Sequence, residues 1–152
     1  RFERTHGTSP FAAQPNVRRT LRAGGKRMEI IAVFIGGGLG SISRFLLSKF
    51  INNSINILFP IGTFAVNSIG CLVIGIVYAL FEKFIAPNEI RVLLITGFIG
   101  GFTTFSSFGL ETVALLRSHE IILALINVLT SVISGVFFVA LGMFIVSILF
   151  KK

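Results

Sequence analysis

Gly97-Phe98-Ile99-Gly100-Gly101-Phe102-Thr103-Thr104-Phe105-Ser106-Ser107-Phe108 lies inside an apolar stretch long enough to cross a bilayer. Three glycines, two adjacent threonines and two serines are poor choices for an uninterrupted helix. In lipid, backbone released from its helical hydrogen bonds must be buried in protein or line a polar cavity. The stretch therefore reads as a helix broken within the membrane, the kind of feature that marks ion and substrate sites in transporters.

The chain around it has the same apolar character. Its 152 residues are 53% hydrophobic and only 13% charged, against about 25% charged in a soluble domain. Four stretches approach or exceed the ~20 apolar residues that span a bilayer. They run from about Ile30 to Ile51, Ile57 to Phe81, Ile90 to Leu116 and Ile121 to Phe150. The expectation is an all-α membrane protein with four transmembrane helices per subunit, the third of them broken. Asn52-Asn53-Ser54, Pro87-Asn88-Glu89 and Arg117-Ser118-His119-Glu120 are the polar turns between spans. Pro60 falls near the entry of the second span, where proline is tolerated. In the first span, Gly36 and Gly40 form a Gly-x-x-x-Gly pair that lets another helix come close.

Charge is unevenly placed. Residues 1–27 carry seven basic groups and one acidic group, contain Pro10 and Pro15, and show no apolar period. This segment reads as a disordered basic leader that is not native to the working protein. Residues 28–152, beginning at Met28, form the four-helix domain. Within that domain Lys83, Arg91, Lys151 and Lys152 fall on the side of the termini, and Arg44, Lys49 and Arg117 on the other. Excess Lys and Arg normally sets orientation. So even a balance is compatible with insertion in both directions.

Cys71 is the single cysteine, so no disulfide forms within the chain and no thiolate cluster can hold a metal. It reads as a small packing residue. His6 and His119 lack partners at ligand spacing and read as solvated. No nucleophile with a histidine base and no paired carboxylates occur within the spans. The Gly36-Gly37-Gly38-Leu39-Gly40 run is not followed by the Lys-Ser/Thr of a phosphate loop. An enzyme is not expected.

Several polar residues fall at membrane depth. Asn127, Thr130, Ser131 and Ser134 share one face of the fourth helix. They read either as interhelical glue or as a polar rail along a narrow pore. Asn67 is a single amide in the second span, read as a donor to an anion or again as glue. Phe105 and Phe108 share a face beside Thr104 and Ser107, and the positive edge of a benzene ring attracts a small anion weakly. Glu111 is a candidate by virtue of being ionisable within a span, although it lies near a helix end. Arg44 either snorkels to the interface or supplies a positive mouth.

Three motifs in order resemble those of the fluoride channel family called Fluc or CrcB. They are Gly36-Gly37-Gly38-Leu39-Gly40-Ser41-Ile42-Ser43-Arg44, Gly62-Thr63-Phe64-Ala65-Val66-Asn67-Ser68-Ile69-Gly70, and the Gly97–Phe108 run. The resemblance covers Met28 to Lys152. It departs mildly at Phe102, where leucine is usual, and at Ser107, where threonine is common. It implies a dual-topology homodimer of two antiparallel four-helix subunits in the cell inner (plasma) membrane. It implies passive export of fluoride, which lowers fluoride toxicity, with lipid and a second copy as partners and no nucleic acid. By position, the implied fluoride pathway takes Asn67, Thr104, Phe105, Ser107, Phe108, Asn127, Ser131 and Arg44. A structural sodium ion at the dimer centre is implied to rest on the backbone carbonyls of Gly100 and Thr103. A proton-coupled small multidrug exporter is the alternative; it would need a titrating carboxylate, for which Glu111 is the interior candidate. A DNA or lipid binder acting through the basic tail is a third reading.

Overall fold

The computed structural model describes residues 23–151. The described residues contain helices and no strand. Helix α1 spans Ala23–Ser54, α2 Ile61–Lys83, α3 Asn88–Arg91, a π-helix Val92–Ile99, α4 Gly100–Phe102, α5 Phe105–Arg117 and α6 Ile121–Leu149. Residues 88–117 together make the third long apolar stretch. Four stretches, of 29, 23, 30 and 29 residues, are long and apolar enough to cross a membrane. At 1.5 Å per residue even the shortest reaches about 35 Å, more than the hydrocarbon thickness of ~30 Å. The fold is that of a multi-pass membrane protein.

Three boundaries differ from the sequence expectation, the first being the end of α1, which runs on through Asn52-Asn53-Ser54, read as a turn. The second helix begins at Ile61, not near Ile57, and Pro60 stands just outside it with φ −75° and ψ 63°. Proline crowds the residue before it out of the helical region, so Phe59 cannot continue a helix into Pro60. At the other end, α1 begins at Ala23, inside the segment expected to be a leader. Once a helix is nucleated, each added residue gains a hydrogen bond. The rest of that expected leader, residues 1–22, lies outside the described residues.

Small residues decide which helices touch. A Cβ at Gly36 would run into the Leu93 carbonyl, and one at Gly40 into the Phe98 carbonyl. From the opposite side, a Cβ at Gly97 would lie 3.0 Å from Gly36 Cα. So α1 lies against the third stretch backbone to backbone, as the Gly36/Gly40 pair suggests. Gly75 and Gly142 do the same for α2 and α6: their missing side chains leave room for the backbones of Val139 and Leu72. Val66 on α2 and Val146 on α6 are fully buried. At the terminal end, Arg91 Nη2 donates to the Phe81 carbonyl at 2.6 Å and Lys83 Nζ to the Phe150 carbonyl at 2.9 Å. Each cation thus satisfies a carbonyl left without a helical donor at a helix C-terminus.

Most large apolar side chains point outward, among them Phe34, Phe45, Ile122, Leu129 and Val136. In water such a surface would aggregate; in a bilayer it meets hydrocarbon.

Candidate functional site

The site is built around two residues that leave the helical conformation. Thr103 has φ −81°, ψ 156° and Thr104 φ −147°, ψ 113°. Both are extended, between Gly100–Phe102 and Phe105–Arg117. An extended residue needs partners for its N–H and its C=O, and lipid supplies none. Asn67 supplies both for Thr104. Its Oδ1 accepts the Thr104 N–H at 2.8 Å, and its Nδ2 donates to the Thr104 carbonyl at 3.1 Å. A side-chain amide carries the same donor and acceptor as a peptide, so it pairs with extended backbone as a neighbouring strand would.

The Thr104 side chain starts the next helix. Its Oγ1 accepts the Ser107 N–H at 3.2 Å, an N-cap for α5, and donates to Ser107 Oγ at 3.0 Å. Threonine in an extended conformation is well suited to this, since its hydroxyl reaches forward to the third residue of the helix. Ser106 Oγ lies 3.3 Å away. Both diversions have a consequence upstream. In an unbroken helix the Thr104 N–H would bond the Gly100 carbonyl, and the Ser107 N–H the Thr103 carbonyl. Each donor goes elsewhere, so these two carbonyls lose their helical partners. Thr103 itself stays anchored through its N–H and Oγ1, both on the Ile99 carbonyl.

An open cavity of about 320 Å³ faces the extended pair. Asn67, Thr103, Thr104, Phe105, Phe108 and Ser131 are among its lining residues. The Phe105 and Phe108 ring centroids lie 5.5 Å apart with planes tilted by 43°. Phe105 is 84% exposed, an unusual position for a phenylalanine beside a polar break. Among the described residues, no charged side chain lines the cavity. Its donors are an amide, hydroxyls and ring edges, each weak alone.

The expected site residues are only partly brought together. Asn67, Thr104, Phe105, Phe108 and Ser131 border the cavity, while Ser107 backs Thr104 from behind. Asn127 is buried away from it: its Nδ2 donates to Thr112 Oγ1 at 2.9 Å, and Thr112 Oγ1 donates to the Phe108 carbonyl at 2.8 Å. Thr130 turns back onto its own helix, at the Ile126 carbonyl, and Ser134 approaches Ser68. The polar face of α6 is thus divided between glue and cavity. Arg44 is half-buried on α1, outside the cavity lining, three residues beyond the Ser41 hydroxyl that meets the Gly101 carbonyl at 3.5 Å.

The sequence reading passed over two groups. Thr63 Oγ1 donates to Glu111 Oε1 at 2.7 Å, and Thr112 is the partner of Asn127. Thr63, Asn67 and Gly70 at i, i+4 and i+7 mark the face of α2 turned toward the third stretch, a signal present in the spacing. Cys71, read as packing, borders the cavity as well.

Four stretches of membrane length and an open cavity lined by an amide, hydroxyls and aromatic rings define the class: a multi-pass membrane protein with a polar cavity among its helices. Residues 31–143 match the family model described as CrcB-like protein, Camphor Resistance (CrcB), and the chain belongs to this family. It is 46% identical over 117 residues to a "Fluoride-specific ion channel FluC" of Methylobacillus flagellatus, covering 75% of this chain and 91% of that protein. It is 41% identical over 119 residues to a protein of the same name from Hydrogenobaculum sp., covering 78% and 97%. A third such protein, from Aquifex aeolicus, is 43% identical over 114 residues, covering 74% and 92%.

Proposed function

We propose that this chain is one subunit of a fluoride-selective channel that lets fluoride leave the cytoplasm passively and so lowers its toxicity. The observation that carries the reading is the chemistry of the cavity. Fluoride is small and strongly hydrated, so a path for it must offer donors in succession, each weak enough to release the ion. The Ser131 hydroxyl, the second N–H of the Asn67 amide and the edges of Phe105 and Phe108 meet that need with Thr104 beside them, and among the described residues no cationic side chain lines the cavity to trap the ion. Relatives named as fluoride-specific channels support the same choice of ion. Ser107 holds the Thr104 hydroxyl in place, Asn127 holds α6 to α5 alongside the path, and Arg44 raises the local anion concentration at its mouth.

The reading includes a second copy, inverted relative to the first in the plasma membrane, with lipid around both. Two observations support it. Basic groups are nearly balanced between the two ends of the four-helix domain, and Phe105 is left uncovered by its own chain. The third helix works as a broken helix in such a pair. A sodium ion fits the break: the Gly100 and Thr103 carbonyls are hard oxygen ligands, and their usual donors are diverted to Asn67 and Thr104. Gly100 is exposed in the single chain, so two copies meeting there would present four such oxygens. The ion would pin the dimer and take no part in conduction.

Hydrogen fluoride crosses lipid as a neutral molecule and dissociates inside. An interior-negative potential then favours exit of the anion by ~2.3 kcal/mol per 100 mV, so no coupling ion is needed. Purified protein in liposomes loaded with fluoride, read by a fluoride electrode with chloride as control, tests the proposal. Rapid fluoride efflux with no chloride efflux is expected. Equal efflux of both, or of neither, refutes it.

A further inference from the structure

We infer that Asn67 is a positioning residue for the central cation: its side-chain amide keeps open the backbone carbonyls that receive sodium. The inference rests on the sodium reading above and concerns which residue creates that site. Three bonds carry it. The Thr104 N–H goes to Asn67 Oδ1 at 2.8 Å, which leaves the Gly100 carbonyl without its helical donor. The Thr104 carbonyl goes to Asn67 Nδ2 at 3.1 Å, which holds Thr104 extended. Held so, Thr104 turns its Oγ1 onto the Ser107 N–H at 3.2 Å, which leaves the Thr103 carbonyl without its donor. One amide on α2 therefore sets free two oxygens on the third stretch.

The orientation of that amide is fixed by its partners. An N–H faces Oδ1 and a C=O faces Nδ2, so a flipped amide would set donor against donor and acceptor against acceptor. Thr104 is itself buried, so without Asn67 its peptide N–H and C=O lose the one side chain that satisfies both. The cheapest escape is to rejoin the helix by rebonding the Thr104 N–H to the Gly100 carbonyl. That closes the oxygen the cation uses. Thus Asn67 and sodium stabilise the same conformation from opposite sides, and loss of the first shows as a weaker hold on the second.

The test compares the full chain with Asn67→Ala and Asn67→Asp in detergent and in liposomes. Asp keeps the acceptor for the Thr104 N–H but sets an oxygen against the Thr104 carbonyl. The sodium concentration that half-maximally stabilises the protein against thermal unfolding, with choline as the replacement cation, should rise at least about fivefold in Asn67→Ala, since losing a buried hydrogen-bond partner costs about 1–3 kcal/mol and 1.4 kcal/mol is tenfold. Asn67→Asp should rise less. An unchanged sodium midpoint in either variant overturns the inference. If neither variant folds, the unaltered protein decides. With ¹⁵N-labelled asparagine, the Asn67 side-chain resonance should move when sodium is replaced by choline. No movement on removing sodium overturns it. If the unaltered protein shows no sodium dependence in unfolding, the sodium reading itself fails, a result separate from either of these.

Discussion

Thr63 Oγ1 donates to Glu111 Oε1 at 2.7 Å, tying the first turn of α2 to α5, while Glu111 Oε2 is buried with no hydrogen-bond partner among the described residues. The bond needs an acceptor and no charge. Glutamine offers the same Oε1, so Glu111→Gln should keep fluoride efflux within about threefold of wild type, a loss under 1 kcal/mol, and efflux should not follow an imposed pH gradient. A proton-coupled exporter would behave otherwise, because its carboxylate must titrate. Abolished flux in Glu111→Gln together with a pH-gradient dependence in the unaltered protein would replace the channel reading with that one. Glu111→Ala removes the acceptor and should lower thermal stability by about 1 kcal/mol.

Phe105 and Phe108 supply ring edges at the cavity, 5.5 Å between centroids. Isoleucine matches much of their bulk and hydrophobicity but has no positive edge. Phe105→Ile and Phe108→Ile should each slow fluoride efflux by up to about tenfold, since an edge interaction of up to ~1.5 kcal/mol corresponds to a tenfold change in rate. Elution volume in size-exclusion chromatography should be unchanged. Efflux at the wild-type rate in both variants would remove the rings from the mechanism.

The close approach of α1 to the third stretch can be tested with neighbouring glycines. Gly40→Val pushes a side chain into the Phe98 carbonyl, whereas a Cβ at Gly38 meets nothing within 4 Å. Overpacking of this kind costs about 1–3 kcal/mol. Gly40→Val should lower the unfolding temperature measurably, and Gly38→Ala should not. Equal behaviour of the two would mean that the helices are held apart.

A turn offers a gain instead of a loss. His119 closes the α5–α6 connection with φ 63°, and its N–H bonds the Leu116 carbonyl at 3.1 Å. The left-handed region costs a residue with a side chain roughly 1 kcal/mol, and glycine pays little of that. His119→Gly should raise the unfolding temperature slightly and leave efflux unchanged, while His119→Val should lower the temperature.

The four spans were legible because apolar stretches of more than twenty residues with at most two charges have few other uses. Gly36 and Gly40 announced a close helix contact because nothing else so small recurs at that spacing in α1. The Gly97–Phe108 run pointed to the site for the same kind of reason: its composition resists a helix in lipid. What stayed hidden is pairwise. Thr112 looks like any other helical threonine until Asn127 is brought beside it, and Asn67 looks like a lone donor until Thr104 takes both ends of its amide. The wide winding of Val92–Ile99 also left no mark, because six apolar side chains with Thr96 and Gly97 among them fit α and π turns alike.

Asn127 and Ser131 lie one turn apart on α6 and shared a single expectation from sequence, yet they face different partners. Asn127 is 2% exposed and bonds Thr112 Oγ1 at 2.9 Å, away from the cavity, whereas Ser131 lines it. Glue and rail then separate by measurement. Asn127→Ala should destabilise the protein by about 0.6–1.5 kcal/mol, the range of hydrogen bonds between membrane helices, and leave most of the fluoride efflux. A double-mutant cycle with Thr112→Val should show that most of this cost is shared, because each change removes the same bond. Ser131→Ala should do the reverse, slowing efflux with little change in unfolding temperature. If Asn127→Ala instead abolishes efflux at unaltered stability, its amide belongs to the conduction path, and α6 must turn toward the cavity when the second copy is in place.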